Sequence, residues 1–297
     1  MCYKKLNMSK KNSNAILKNQ LNDFDEFSNI LNNFLHKLKK FKTKTFVVAV
    51  SGGPDSLALV ALTKAVSSNN KFKFYYVLID HKIRKNSSKE AKKVKDLLKK
   101  FNISLNIITN KNKIVKNIQS QARSIRYELL SNFCKKKDVK TIITAHNLED
   151  QVETFFIRLS RGSGLTGLSG MQSVSKLNKK IILFRPLLTI KKEFLIKISK
   201  KKFGKYFNDP SNKNTKYLRT KIRNLKKTLM KSGINYDQII RSINNLASSK
   251  ATLDKYFTEV FRNTIKKSRN KILINLTKFN KLNTELKMQV INKSIKI

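Results

Sequence analysis

Cysteine is nearly absent from this chain of 297 residues. Its two copies, Cys2 and Cys134, lie far apart and no CxxC pair occurs. That argues against a disulfide-stapled scaffold, a zinc site or an iron–sulfur cluster, and it fits a reducing compartment. Cys134 sits in an apolar helical stretch and reads as a core residue. No apolar run approaches the roughly 20 residues that a membrane-spanning helix needs. The Lys-rich N-terminus lacks the apolar segment of a secretory signal. The expectation is a soluble protein with no membrane partner, cytoplasmic or in the stroma or matrix of an organelle. Glycine is also scarce, yet six of the eight (Gly52, Gly53, Gly162, Gly164, Gly167 and Gly170) fall in two short loops. Glycine gathered in this way marks backbone that approaches a ligand or forms a lid.

Acids are the third shortage. Asp and Glu number 18 against 65 Lys and Arg, a net charge of +47. Such an excess points to a polyanionic partner. A competing explanation is compositional drift, since Lys, Asn and Ile crowd the whole chain. The 65 basic residues divide into 54 Lys and 11 Arg, and eight of those Arg lie between Arg84 and Arg223. Lys cannot copy the planar fork of a guanidinium, so each retained Arg is the better functional candidate. Hydrophobic residues make up 40%, enough for a core, and the length suits one large domain plus a smaller one.

What is present is organised around Thr45 to Ser56, TFVVAVSGGPDS. Phe46 to Val50 form a continuous apolar run suited to a parallel strand buried on both faces. Ser51, Gly52 and Gly53 break the run, and from Pro54 the apolar pattern is helical. Pro54 suits a first helical position and Asp55 is an acid in the first turn. A strand feeding a glycine turn and then a helix start leaves N–H groups converging on one point, an anion site. A carboxylate beside a polyphosphate is repulsive unless a cation intervenes. Asp55 therefore reads as a Mg2+ or phosphate-positioning group, or more simply as a capping acid. No Lys closes the turn, which separates it from the GxxxxGKS/T loop. It resembles instead the SGGxDS loop of the ATP pyrophosphatases. That resemblance implies ATP, split to AMP and pyrophosphate, with its β,γ-phosphates on Ser51, Gly52, Gly53, Pro54, Asp55 and Ser56.

Further strands are predicted over 72–80, 103–109, 141–145 and 181–184, and helices over 90–101, 118–137 and 148–160. Strands alternating with helices mean right-handed βαβ units, an α/β fold with a parallel sheet flanked by helices. The active site of such a sheet lies beyond the carboxyl ends of its strands. Ser51, Asp80 with His81, and His146 all fall there. Residues 1–20 read as a polar lead-in, and 24–38 as an amphipathic helix packed on the main domain. From about 214 the composition turns basic and helical over 215–231 and 236–266, followed by a strand-like stretch at 272–276 and a polar tail. The chain thus divides into 1–42, a catalytic domain over 43–213, and a basic, mainly helical region over 214–297.

The remaining motifs carry chemistry of their own. Asp80 and His81, with Arg84 and Glu90 behind them, form a polar strand end able to bind an adenosine moiety or order a loop. Arg123 and Arg126 lie three apart on one helix face, suited to phosphate or carboxylate, or to bulk solvent as plain surface cations. Asp150 and Glu153 share a helix face beside the phosphate loop, where paired acids hold Mg2+ or receive a cationic substrate. His146 suits the orientation of a phosphate or a carbonyl. Arg158 and Arg161 lead into the glycine loop at 162–170. Arg185–Pro186–Leu187–Leu188, Asp209–Pro210–Ser211–Asn212, and Arg219 with Arg223 complete the series.

In order and without large gaps, residues 46–224 resemble the tRNA(Ile)-lysidine synthases, with the family blocks VDH…R…EA, ARxxRY, TAHHxDDQxET, RGSGxxGLxGM and RNxIR. Among the departures, Asn147 replaces the second His and Thr220 replaces Asn. The resemblance implies ATP-dependent adenylation of the C2 oxygen of cytidine 34 in the CAU anticodon of tRNA(Ile), and then displacement of AMP by the amine of free L-lysine. It implies Asp55, Asp150 and Glu153 as the catalytic acids, with Asp55 and Asp150 towards Mg2+. Asp80, His81 and His146 would join the loop in holding the nucleotide. Arg123, Arg126, Arg161, Arg185, Arg219 and Arg223 would meet the substrate RNA. Which acid takes metal and which takes lysine stays open, as does a homodimer. A tRNA 2-thiolase of the same fold is the rival enzyme, though it would need cysteines near the site. A non-catalytic RNA-binding protein is the rival of another class.

Overall fold

A computed structural model describes residues 26–69, 71–112, 114, 118–208, 215, 217–268 and 271–295. The apolar run forms β1 (Thr45–Val50). Its alternation divides the core in two: Phe46, Val48 and Val50 join one buried cluster, and Val47 joins another. A strand apolar on both faces belongs inside a sheet that is covered on both sides. Ahead of it runs α1, residues 26–39, whose Ile30, Phe34 and Leu38 are buried in the first cluster. Phe24 of the predicted stripe lies outside the described residues, as does the lead-in at 1–20.

After β1 come α2 (Pro54–Asn69), β2 (Lys73–Asp80), α3 (Ser87–Lys99), β3 (Leu105–Thr109), α4 (Ile118–Lys136), β4 (Thr141–Ile143), α5 (Leu148–Leu159), α6 (Leu165–Leu168), β5 (Val174–Lys176), β6 (Ile182–Phe184) and α7 (Lys192–Phe203). The six-stranded sheet runs β3-β2-β1-β4-β6-β5. All neighbours are parallel except β5, which is antiparallel to β6. The expected parallel sheet flanked by helices is present. The chain winds outward from β1 to β3 and then crosses to β4 on the other side of β1. The direction of winding therefore reverses between β1 and β4, which opens a crevice at their carboxyl ends.

The first core cluster is closed by α1, α2, α3 and α7, the second by α4, where Leu130 and Cys134 are fully buried. Three elements of this part were not predicted: the single turn of α6, which falls inside the glycine loop at 162–170, helix α7 and strand β5. In α7 the apolar set Leu195, Ile198 and Phe203 is buried, but lysines surround it in sequence. The edge strand β5 is three residues long and mostly exposed, too short to show a period.

The rest of the chain is α8 (Leu218–Asn224), α9 (Lys226–Lys231), α10 (Tyr236–Thr264), β7 (Ile265–Lys267), β8 (Ile272–Ile274), α11 (Leu276–Asn280) and α12 (Thr284–Ser294). The predicted polar tail is thus largely helical. Side chains of Asn275 and Asn283 cap α11 and α12, and Val290 is fully buried. The chain forms two compact units, Met1–Glu153 with Met171–Arg223, and Thr154–Gly170 with Asn224–Ile297. The second unit is built on α10, which starts in an Asn235–Gln238 capping box and packs against α6, α11 and β7. Lys293 of α12 lies over the rings of Phe257 and Phe261. Among the described residues no helix is long and apolar enough to cross a membrane.

Candidate active site

The turn after β1 is tightened by its own hydroxyls. The Ser51 N–H and Oγ both donate to Ser56 Oγ, at 3.2 and 3.1 Å, and Ser56 Oγ donates to the Gly53 carbonyl at 2.9 Å. Ser56 is buried and props the turn, whereas Ser51 is exposed. Gly52 holds a left-handed φ of +81°, and a Cβ there would come within 2.5 Å of Val94 Cγ2 on α3. Both the conformation and the close approach of α3 therefore require glycine. The Gly52 carbonyl accepts the Phe207 N–H at 3.0 Å. Because α2 begins at Pro54, its first-turn N–H groups lie outside the helical ladder, at the point where β1 ends.

Asp55 opens α2 in a polar but confined setting. Burial raises its pKa from 3.8 to about 6. The Lys192 ammonium opposes that rise, Asp150 and Glu149 add to it through their charge, and a hydrogen bond from Asn147 works against it. Oxygen Oδ1 of Asp55 is buried without a hydrogen-bond partner, and Oδ2 lies 4.0 Å from Lys192 Nζ.

Across the crevice, the end of β4 leads into a reciprocal cap. The Asn147 side chain accepts from the Asp150 N–H at 2.9 Å, and the Asp150 carboxylate accepts from the Asn147 N–H at 3.1 Å. This is a capping box closed by Asp rather than Glu. It accounts for Asn at the position where the resembling family has a second His: the short amide caps α5 and reaches Asp55. Glu149 accepts the Lys192 N–H at 2.9 Å, which pins the start of α7 to the start of α5. Glu153 is buried and already paired, with Arg223 in a two-point contact at 2.7 and 3.1 Å. Arg219 approaches the same carboxylate at 3.2 Å.

His146 Nδ1 is 2.8 Å from Thr144 Oγ1. Burial lowers its pKa to about 4; Asp150 opposes this, while Arg123, Arg185 and Arg219 reinforce it. The imidazole is therefore neutral at pH 7, among guanidinium groups that attract an anion. His81 is likewise held near 4, by burial and by Arg126, against the pull of Asp80. Both of its ring nitrogens are buried without a hydrogen-bond partner. Burial alone would raise the Asp80 carboxyl, but the Ser88 hydroxyl at 2.5 Å and the Lys82 N–H at 3.0 Å hold it below its ordinary range.

The structure gathers Ser51–Ser56, Asp80, His81, Arg123, Arg126, His146, Asp150, Glu153, Arg219 and Arg223 within the first unit. Arg185 belongs there too, but it is buried and donates to the Gln172 carbonyl at 2.9 Å and to Ser175 Oγ at 3.0 Å, tying β6 to β5. Arg161 lies in the second unit, exposed. Within that unit Arg158 holds the glycine loop by donating to the carbonyls of Gly167 at 2.6 Å and Gly170 at 3.0 Å. The Asp209–Asn212 motif lies outside the described residues. Lys192, Glu149 and the capping role of Asn147 were not singled out from sequence. The capping box was readable from its spacing, whereas nothing along the chain points from Lys192 back to Asp55. Among the described residues no group of three or more His, Cys, Asp or Glu side chains could hold a metal ion by itself.

The sequence profile of the PP-loop domain matches residues 25–229. A tRNA(Ile)-lysidine synthase of Orientia tsutsugamushi is 42% identical over 210 residues, covering 68% of this chain and 46% of that protein. One from Wolbachia pipientis wMel is 35% identical over 273 residues, covering 91% of this chain and 62% of that protein. The chain thus spans between about half and three-fifths of the length of these curated relatives. Among solved structures, the U34-tRNA thiolase NcsA from Methanococcus maripaludis superposes with a TM-score of 0.62 at 17% identity, over 75% of this chain and 79% of that one. At that identity the likeness concerns the fold.

Proposed function

This chain belongs to the PP-loop domain family, and from that premise we propose that it is an ATP-dependent tRNA(Ile)-lysidine synthase. In this reading the C2 oxygen of cytidine 34 in a CAU anticodon attacks the α-phosphorus of ATP and pyrophosphate leaves. The amine of free L-lysine then attacks C2, the C–O bond breaks, and AMP departs with the oxygen. The observation that carries the reading is the crevice between β1 and β4. A phosphate-type turn that carries Asp55 lies near the Asp150 carboxylate, with a neutral His146 among guanidinium groups. The relatives in Orientia and Wolbachia, named for this activity, support it.

The residues present suit Mg2+. That ion is commonly held by one or two carboxylates plus substrate phosphates rather than by a dedicated protein cage. Asp55, with Oδ1 buried and lacking a hydrogen-bond partner, and Asp150 would hold it, where it would neutralise phosphate charge. In this reading Glu153 neither binds metal nor takes the lysine amine directly, since Arg219 and Arg223 occupy its carboxylate; it holds α8 and its two Arg at the site. Asp80, His81 and the 51–56 turn hold the nucleotide. Arg123, Arg126 and Arg219 meet RNA or phosphate, and the basic helices after 214 add contacts to tRNA phosphates, which carry most of the affinity in such complexes.

Thiolation is the weaker reading. Cys134 is fully buried and its thiol is pushed up to about 12 by that burial, so it offers no thiolate at neutral pH. Incubation with ATP, labelled lysine and unmodified tRNA(Ile) transcript tests the proposal. Lysine incorporated into the tRNA, with AMP and pyrophosphate formed, is the expected outcome. Sulfur-dependent modification, or RNA binding without ATP turnover, would overturn it.

A further inference from the structure

The Ser51–Ser56 turn contains no Lys, so a polyphosphate seated there would meet the Asp55 carboxylate without a protein cation from the loop itself. A cation arrives from elsewhere in the chain: Lys192 Nζ is 4.0 Å from Asp55 Oδ2. Its backbone is fixed on both sides. The Lys192 N–H donates to Glu149 Oε2 at 2.9 Å, and the Leu148 N–H donates to the Ile190 carbonyl at 3.0 Å. Helix α7 packs along α2, with Leu195, Ile198 and Phe203 in the same core as Leu57 and Val60. The cation and the carboxylate are thus mounted on two packed helices. The ammonium nevertheless stands farther off than the roughly 2.7–2.9 Å of a charge-assisted hydrogen bond. The Lys192 side chain is 33% exposed, which leaves it reachable on the solvent side.

We propose that Lys192 is a nucleotide-binding residue whose ammonium contacts the β,γ-phosphates held by the Ser51–Ser56 turn, supplying through space the cation that this loop lacks in sequence. The inference rests on the ATP reading above. An ammonium on a flexible four-carbon stem moves readily from one oxygen partner to another. On nucleotide binding it exchanges a carboxylate oxygen for a phosphate oxygen, and Asp55 is released towards a divalent cation. A purely structural role, in which Lys192 only offsets the charge of Asp55, would not distinguish nucleotides by their phosphate number.

Calorimetric titration of the full chain with ATP and with AMP, each in the presence of Mg2+, tests this on the wild type, Lys192→Gln and Lys192→Arg. Unfolding midpoints are followed alongside. ATP affinity of Lys192→Gln is expected to fall about 10- to 100-fold, the worth of one charge-assisted contact. AMP affinity is expected to stay near the wild-type value, and Lys192→Arg to recover most of the ATP affinity. Unchanged ATP affinity in Lys192→Gln, or equal losses for ATP and AMP, overturns the assignment and leaves the ATP reading standing. A wild-type chain that takes up no ATP overturns both.

Discussion

Asp55 lies in the first turn of a helix, within a turn built for anions, and sits close to two other carboxylates, so its ionised form is held at a cost. Its pKa rises from 3.8 to about 6, with burial as the main cause. The folded chain therefore binds this proton more tightly than the unfolded chain. The stability it confers is complete below about pH 4 and is lost as pH climbs through about 6. The loss amounts to about 2–3 kcal/mol, the lower figure allowing for partial solvent access. Asp55→Asn removes the ionisation and keeps the shape. Urea unfolding should find variant and wild type alike near pH 4 and the variant about 2 kcal/mol more stable at pH 7, and on the proposed function adenylation is lost. A stability difference that stays flat from pH 4 to pH 7 would contradict this account of the carboxyl. On the proposed function this is a trade of stability for chemistry, which is common at functional sites.

At the scale of elements, α5 and α8 are held together by one buried acid. Glu153, 2% exposed, meets Arg223 at 2.7 Å and Arg219 at 3.2 Å. Removing one partner of such a pair strands the other charge, at a cost of about 3–5 kcal/mol when nothing remains to pair it. Because Arg219 stays, Arg223→Ala is expected to cost about 2 kcal/mol, and pairing it with Glu153→Gln should cost less than the sum of the two single changes. Additive costs in denaturant unfolding would mean that the contact contributes nothing. This pair also marks where sequence reasoning stops. The β1–turn–α2 unit was legible because its run of apolar residues, its glycines and its Pro54 are adjacent in the chain and act locally. The sheet followed from the alternation of strands with helices. Arg223 was singled out as an RNA contact and Glu153 as a metal or lysine acid, because their pairing spans 70 residues and leaves no local trace. Helix α7 was hidden by its lysines, and with it Lys192.

For the whole molecule the open question is whether a net charge of +47 serves a partner or merely records a Lys-rich composition. The two explanations differ in a measurable slope. A cation that meets a phosphate releases a condensed counterion, and each such contact steepens the fall of affinity with salt by about 0.7 in log–log terms for single strands. A Lys that only faces solvent releases none. Six or more contacts imply a slope of about −4 or steeper, and hence about a 300-fold or larger loss of tRNA(Ile) affinity between 50 and 200 mM salt. On the proposed function ATP with Mg2+ is a compact ligand met largely by turn and carboxylates, and it should lose far less over the same range. Filter binding for the RNA and calorimetry for the nucleotide, on one preparation, provide both slopes. A steep RNA slope beside a shallow ATP slope assigns the charge to the polyanion. A shallow RNA slope of about −1 would mean that most of these lysines face only water, and that recognition is left to the few Arg clustered between Arg84 and Arg223.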